Sequence, residues 1–60
     1  MEGKEKVLII DDEIGNLQML RIRLEHEDFQ VIAADDPYEG LQSAKEEIPD
    51  IVLLDVNMPG

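Results

Sequence analysis

Three aspartates occupy positions where their carboxylates could act together. Asp11 and Asp12 follow an apolar run at residues 7–10, and Asp55 follows a second apolar run at residues 51–54. If the two runs are neighbouring strands of a parallel sheet, the three side chains meet outside the carboxyl ends of the strands, where such sheets bind ligands. Two carboxylates about 4 Å apart repel by about 4 kcal/mol at an effective dielectric near 20, so this cluster requires a cation.

The donor set indicates which cation and which chemistry. Carboxylate oxygens favour Mg²⁺ or Mn²⁺ over zinc, and the absence of cysteine excludes a thiolate site and a disulfide framework. A hard divalent ion lets an anionic phosphate donor approach an acidic pocket. One carboxylate can then act as a nucleophile toward phosphorus. The pattern therefore predicts phosphoryl chemistry at an aspartate.

The hydrophobic pattern predicts a strand and then a helix in the first half of the chain. Residues 7–10 are continuously apolar and rich in β-branched side chains, which is typical of a strand buried on both faces of a parallel sheet. Residues 14–26 change to a helical period, with three leucines on one face: Leu17, Leu20 and Leu24. Met19 and Ile22 lie elsewhere on this helix, as chance exposure or as a second contact surface. Asp28 is expected in the following turn, because Asp tolerates a left-handed backbone.

A second strand and a second helix follow. Residues 29–34 are less apolar than the first strand, which places them at an edge of the sheet. Asp36 is the expected N-cap and Pro37 the first helical residue of a helix that ends before Pro49. Gly40 inside this helix indicates a close contact between helix and sheet. Four apolar residues share one face of the helix: Tyr38, Leu41, Ala44 and Ile48.

The complete order is β-α-β-α-β. Residues 51–54 predict a third strand of the buried type, and residues 56–60 predict a loop. Strands that alternate with amphipathic helices define an α/β fold with a parallel sheet and right-handed crossovers. If the first and third strands are neighbours, the spatial order is 2-1-3 and the three carboxylates converge.

Composition limits the possible partners. The chain has 60 residues, with 15 Asp and Glu against 5 Lys and Arg, and a net charge of −10. This charge opposes direct binding to nucleic acids and to anionic membranes. No apolar run approaches the ~20 residues of a membrane span, and no signal peptide is recognisable. We therefore expect a cytoplasmic, acidic, single-domain segment with neither a nucleic acid nor a membrane as partner.

Residues 6–13 and 53–60 resemble the receiver domain of two-component response regulators. The first segment reads Lys-Val-Leu-Ile-Ile-Asp-Asp-Glu and the second reads Leu-Leu-Asp-Val-Asn-Met-Pro-Gly. The 43-residue separation of Asp12 and Asp55 and both helix patterns also match that family. The resemblance covers all 60 residues and implies a flavodoxin-like, doubly wound parallel sheet, of which this chain supplies a βαβαβ half.

The resemblance also implies roles for individual residues. Asp55 accepts a phosphoryl group from the phosphohistidine of a histidine kinase or phosphotransfer protein. Asp12 and Asp55 bind Mg²⁺ (or Mn²⁺) directly, Asn57 binds it through its backbone carbonyl, and Asp11 binds it through water. The loop beyond the phosphorylation site is shaped by Met58, Pro59 and Gly60. These roles describe a regulatory phosphoacceptor and not an enzyme.

The family pattern extends beyond what residues 1–60 contain. A receiver domain continues for two more strands and three more helices, which carry a hydroxyl residue, a lysine and an aromatic residue that respond to phosphorylation. We therefore expect residues 1–60 to be the N-terminal portion of a receiver domain, truncated after the third strand. Asp28 stands where the family often has Gly, and Gly40 stands where the family usually has Ala.

A second interpretation has no phosphorylation chemistry. An apolar third strand at an open edge invites pairing with another chain, so a second copy could complete the sheet as a six-stranded homo-oligomer in the order 2-1-3-3′-1′-2′. Stability that depends on Mg²⁺ distinguishes the phosphoacceptor from such a self-associating fragment. A dinucleotide-binding domain is disfavoured, because acidic residues and not glycines follow the first strand. A dehalogenase-type phosphatase would need Asp-x-Asp where the chain has Asp55-Val56-Asn57.

Overall fold

The chain folds as alternating strands and helices around one parallel sheet. The computed structural model describes residues 4–55, with the backbone alone at Asp55. Its elements are β1 (Lys6–Asp11), α1 (Ile14–His26), β2 (Gln30–Ala34), α2 (Pro37–Glu47) and β3 (Ile51–Asp55). The strands are parallel in the order β2-β1-β3, which confirms the predicted α/β class and strand order. Neither described helix is long and apolar enough to cross a membrane.

Strand β1 is the centre of the core because both of its faces are covered. Val7 and Ile9 pack with Leu17 of α1 on one face, and Leu8 and Ile10 pack with Ala34 on the other. Burying a side chain of this size contributes about 1.5–3 kcal/mol, so the four apolar residues of β1 dominate the stability of the sheet. The predicted leucine face of α1 is confirmed, because Leu20 and Leu24 pack against the same cluster as Leu17.

Helix α2 begins as predicted but packs through its smallest residues. The Asp36 carboxylate accepts a hydrogen bond from the Tyr38 N–H at 3.1 Å, and Pro37 is the first helical residue. Gly40 is buried against Ile10, and a Cβ at Gly40 would lie 2.6 Å from Ile10 Cγ1. This confirms the close contact between helix and sheet that Gly40 predicted.

The predicted apolar face of α2 is buried only in part. Ala44 packs against the core, whereas the large side chains of that face are exposed: Tyr38, Leu41 and Ile48. The reason is that Gly40 and Ala44 let the helix backbone approach the sheet closely, which leaves the larger residues at the flanks of the contact.

Strand β3 lies at an edge of the sheet and is not buried as its composition predicted. Its four apolar residues, 51–54, are between 39% and 65% exposed. Among the described residues neither helix packs on β3, so only β1 covers it. An apolar sequence indicates burial only when other elements cover both faces of the strand, and here they do not.

The start of β3 is fixed to the start of β1 by two hydrogen bonds, and a third bond joins Lys6 to the end of α2. The Lys6 N–H donates to Asp50 Oδ2 at 2.8 Å, and the Asp50 N–H donates to the Lys6 carbonyl at 2.8 Å. The Lys6 ammonium donates to the Glu47 carbonyl at 3.0 Å, at the carboxyl end of α2, where a cation is favourable. The two bonds between Lys6 and Asp50 set the register in which β3 runs beside β1.

Within residues 4–55, two residues other than glycine adopt the left-handed backbone conformation. Asp28 has φ 74°, which confirms the turn predicted there, and Ile48 has φ 49° at the C-cap of α2. This conformation is costly for a β-branched residue, and Ile48 is 77% exposed, so its side chain contributes little packing in return.

We expect Ile48→Gly to raise the free energy of unfolding by about 0.5–1 kcal/mol, because glycine adopts this conformation without a steric penalty. Chemical denaturation measures the change. Gln42→Gly, at an exposed position inside the same helix, is the control and lowers the stability by about 1 kcal/mol. An unchanged or lower stability of Ile48→Gly would contradict the left-handed C-cap.

Candidate functional site

The carboxyl ends of β1 and β3 bring two of the predicted site residues together. Asp11 and Asp55 are paired residues in the parallel register, directly after the pair Ile10 and Leu54. Neighbouring strands lie about 4.8 Å apart, so the two backbones are adjacent at this edge. Asp12 follows immediately after β1. The structure thus places the predicted residues of the two strands at one edge of the sheet.

Asp11 has one satisfied and one unsatisfied carboxylate oxygen. The residue is 2% exposed, and its Oδ1 accepts a hydrogen bond from the Glu13 N–H at 2.9 Å. Its Oδ2 is buried and has no hydrogen-bond partner among the described residues. Leaving a buried polar atom unpaired costs about 1–3 kcal/mol and more when the group is charged. Such an oxygen is what a bound cation, or a water molecule in its shell, would satisfy.

Asp12 is exposed and faces solvent at the same edge, as a direct ligand of an exchangeable ion would. No Lys or Arg in the described part of the chain forms an ion pair with Asp11 or Asp12. Another acid, Asp35, follows the last residue of β2, and Ala34 at that strand end pairs with Ile10. The edge is therefore rich in uncompensated negative charge, and the oxygen donors present fit a hard divalent ion.

The other predicted ligands lie outside the described side chains. Within residues 4–55 no group of three His, Cys, Asp or Glu side chains is placed to hold a metal ion. The Asp55 side chain is not part of that set, and Asn57 lies outside the described residues. The predicted loop-shaping residues also lie outside them: Met58, Pro59 and Gly60. The ligand set of Asp11, Asp12, Asp55 and Asn57 therefore remains a prediction.

Glu13 and Asn16 were not singled out by the sequence, although they adjoin the site. The Asn16 amide donates to Glu13 Oε1 at 3.0 Å, and Glu13 is the N-cap residue of α1 without a side-chain hydrogen bond to the helix backbone. Their spacing of three residues across a helix start was the only available signal. That spacing occurs at many helix starts and does not by itself indicate function.

Comparison with known proteins identifies the family of proteins to which this chain belongs. The model of the response regulator receiver domain family matches residues 7–60. The chain therefore belongs to the response regulator receiver domain family, which confirms the resemblance found in the sequence. Its three parallel strands and two helices are the α/β arrangement expected of a receiver.

Several curated proteins are similar to the chain. A probable transcriptional regulator ycf27 from Guillardia theta is 44% identical over 59 residues, which are 98% of this chain and 23% of that protein. The alkaline phosphatase synthesis transcriptional regulatory protein PhoP from Bacillus subtilis is 40% identical over 55 residues, covering 92% of the chain and 23% of that protein. Protein PilH from Pseudomonas aeruginosa is 38% identical over 55 residues, covering 92% of the chain and 46% of that protein.

The chain spans only part of these relatives, about a quarter of the first two and just under half of the third. No solved structure matches the chain significantly.

Proposed function

We propose that this chain is the phosphoacceptor portion of a response regulator, in which Asp55 accepts a phosphoryl group with the help of Mg²⁺. The single observation that carries the proposal is the pairing of Asp55 with Asp11, whose buried Oδ2 has no partner among the described residues. A nucleophilic carboxylate, and beside it a carboxylate oxygen free to hold a metal-bound water, are what this chemistry requires at adjacent strand ends.

Each residue has a defined part in the proposed reaction. Asp12 and Asp55 would hold Mg²⁺ directly, Asn57 through its backbone carbonyl and Asp11 through water. When bound, the ion neutralises the carboxylates and the incoming phosphate. The Asp55 carboxylate attacks phosphorus, so that a P–O bond forms as the P–N bond of the phosphohistidine breaks and the donor histidine is released. The product is an aspartyl phosphate.

The proposed donor is the phosphohistidine of a histidine kinase or of a phosphotransfer protein, and the proposed location of the chain is the cytoplasm.

The exposed residues Met19 and Ile22 of α1 are candidates for a contact surface, because no other described element covers them. Helix-surface residues of this kind pack against partner helices. The role is regulatory, with residues 1–60 acting as the N-terminal portion of a receiver domain. The net charge opposes a direct nucleic-acid contact through this segment.

We expect incubation with acetyl phosphate and Mg²⁺ to add one phosphoryl group, and Asp55→Asn to abolish the addition, because an amide is not a nucleophile toward phosphorus. Intact-protein mass spectrometry measures the modification. We expect it to be slow, because the lysine that the family places near the phosphoryl oxygens is not among residues 1–60. Asp35→Asn, a matched change at the end of β2, leaves the modification intact. Modification that persists in Asp55→Asn would refute the assignment of the acceptor.

The exposed edge of β3 favours a second candidate, a self-associating fragment without phosphorylation chemistry. Its four apolar side chains, and a row of backbone groups that no strand among the described residues pairs with, suit antiparallel pairing with β3 of a second copy. We expect light scattering at micromolar concentration to report twice the chain mass. A folded monomer at that concentration would reject the six-stranded sheet and leave the phosphoacceptor proposal unaffected.

A further inference from the structure

The hydrogen bond from the Glu13 N–H determines which carboxylate oxygen of Asp11 has no partner among the described residues. The Glu13 N–H donates to Asp11 Oδ1 at 2.9 Å, while Oδ2 is buried without a partner among the described residues. Without this bond the carboxylate could rotate, and neither oxygen would be held ready for a cation. The orientation of Asp11 therefore depends on how firmly the Glu13 peptide is held.

The Glu13 peptide is held from the first turn of α1. Glu13 is the N-cap, with φ −104° and ψ 112°, and its carbonyl accepts a hydrogen bond from the Leu17 N–H at 3.0 Å. Its side chain makes no capping bond to the helix backbone. Instead, Oε1 accepts a hydrogen bond from the Asn16 amide at 3.0 Å. Asn16 is half-buried in the first turn of α1, so this side-chain bond ties the N-cap residue to the body of the helix.

We propose that Asn16 is a positioning residue for the cation site and acts through Glu13. By restraining the Glu13 side chain, Asn16 fixes the peptide N–H that occupies Asp11 Oδ1, so that Oδ2 stays available. The consequence for Mg²⁺ rests on the proposed function, whereas the restraint on Asp11 does not. Holding a ligand in its binding conformation strengthens binding because less freedom is lost when the ion arrives.

A competing explanation is that Glu13 acts only through its charge. Asn16 is neutral, so Asn16→Ala changes the restraint and leaves the net charge unchanged. Glu13→Ala removes both the charge and the acceptor for Asn16. The two explanations therefore predict different results for Asn16→Ala, and the double variant shows whether Asn16 acts through Glu13.

Two measurements on the full 60-residue chain test the proposal. The first is the dissociation constant for Mg²⁺, from a titration with MgCl₂. The second is the hydrogen exchange rate of the Glu13 amide without metal. We expect Asn16→Ala to weaken Mg²⁺ binding and to accelerate the exchange, each by about two- to fivefold, which is the range for one exposed hydrogen bond. In the Glu13→Ala background the same substitution has no further effect on either quantity. Gln42→Ala, at an exposed site on α2, changes neither.

Asn16→Asp provides a second variant that favours folding, because an acid in the first turn suits the helix dipole. It lacks the amide donor, so the Glu13 amide again exchanges faster, although an added negative charge alone would slow exchange. Unchanged Mg²⁺ affinity and exchange in Asn16→Ala would overturn the proposal, as would an equal effect of that substitution in the Glu13→Ala background. If the wild-type chain binds no Mg²⁺ but the exchange result holds, the proposed function fails and the restraint on Asp11 stands.

Discussion

Asp12→Ala is expected to abolish the stabilisation of the chain by Mg²⁺. A ligand that binds only the folded state stabilises it by about 2.7 kcal/mol at a hundred times its dissociation constant. For a domain of this size, each kcal/mol shifts the melting temperature by about 4–8 °C. Asp12 is exposed and is the proposed direct ligand at the end of β1. Its removal should therefore prevent Mg²⁺ binding and the increase in stability that binding causes. Thermal unfolding over a range of MgCl₂ concentrations measures both.

The effect of Asp12→Ala on the stability of the metal-free chain provides a second test. Asp12 stands next to the buried Asp11 at an edge where no described Lys or Arg is paired with either residue. Removing one of the repelling charges should therefore raise the stability of the metal-free chain slightly. Asp35→Ala is the matched control, an exposed acid at the end of β2 that keeps the Mg²⁺ response. An Mg²⁺ response that survives in Asp12→Ala would contradict Asp12 as a ligand, and a wild-type chain whose stability does not depend on Mg²⁺ would favour the fragment without phosphorylation chemistry.

Gly40→Ala is expected to lower the free energy of unfolding by up to about 2 kcal/mol, although alanine is the better helix former. The added Cβ would meet Cδ1 of the buried Ile10 and lie 2.6 Å from its Cγ1. Overpacking of this kind costs about 1–3 kcal/mol, which equals or exceeds the gain of about 1 kcal/mol in helix propensity. Chemical denaturation of the wild type and the variant measures the difference.

Two further variants separate the packing effect from helix propensity. Gly15→Ala is the matched control in α1, because a Cβ there meets nothing within 4 Å. That substitution should raise the stability, by up to about 1 kcal/mol. Ile10→Val removes the atom nearest to Gly40, so Gly40→Ala should cost less in that background. A stabilising Gly40→Ala in the wild type would show that α2 lies farther from β1 than the structure indicates.

The arrangement of the elements could be predicted from the sequence because local signals agree with the global fold. The apolar run 7–10 identifies the central strand, the leucine period identifies the buried face of α1, and Asp36 with Pro37 marks the start of α2. Strand β2 begins at Gln30, one residue later than the pattern indicated. The Phe29 N–H instead donates to the Leu24 carbonyl at the end of α1.

The environment of an element is a tertiary property and was harder to predict. Residues 51–54 have the composition of a buried strand, yet β3 is half exposed because no described helix packs on it. The bulky apolar residues predicted on the same face as Ala44 are exposed, whereas Ala44 and Gly40 pack against the sheet. Periodicity identifies an apolar face, but it does not show what covers that face.

The candidate site divides in the same way. The adjacency of Asp11 and Asp55 follows from strand order alone and was predicted. The Glu13 and Asn16 contact depends on side-chain rotamers at a helix start, for which the sequence gives no specific signal. The hydrogen bonds between Lys6 and Asp50, which fix the register of β3, were also not predicted. The two residues are 44 positions apart, and no local pattern indicates that they meet.

The central claim is that Asp11, Asp12 and Asp55 surround one divalent ion, and nuclear magnetic resonance with Mn²⁺ in place of Mg²⁺ tests it most directly. A paramagnetic ion broadens nearby signals, and the effect falls steeply with distance. We expect the amide signals of Asp11, Asp12 and Asp55 to broaden together at the lowest Mn²⁺ concentrations, while those of Asp28 and Asp50, at the opposite ends of the strands, stay sharp. Broadening that spares Asp55, or that begins at Asp28 or Asp50, would contradict the claim.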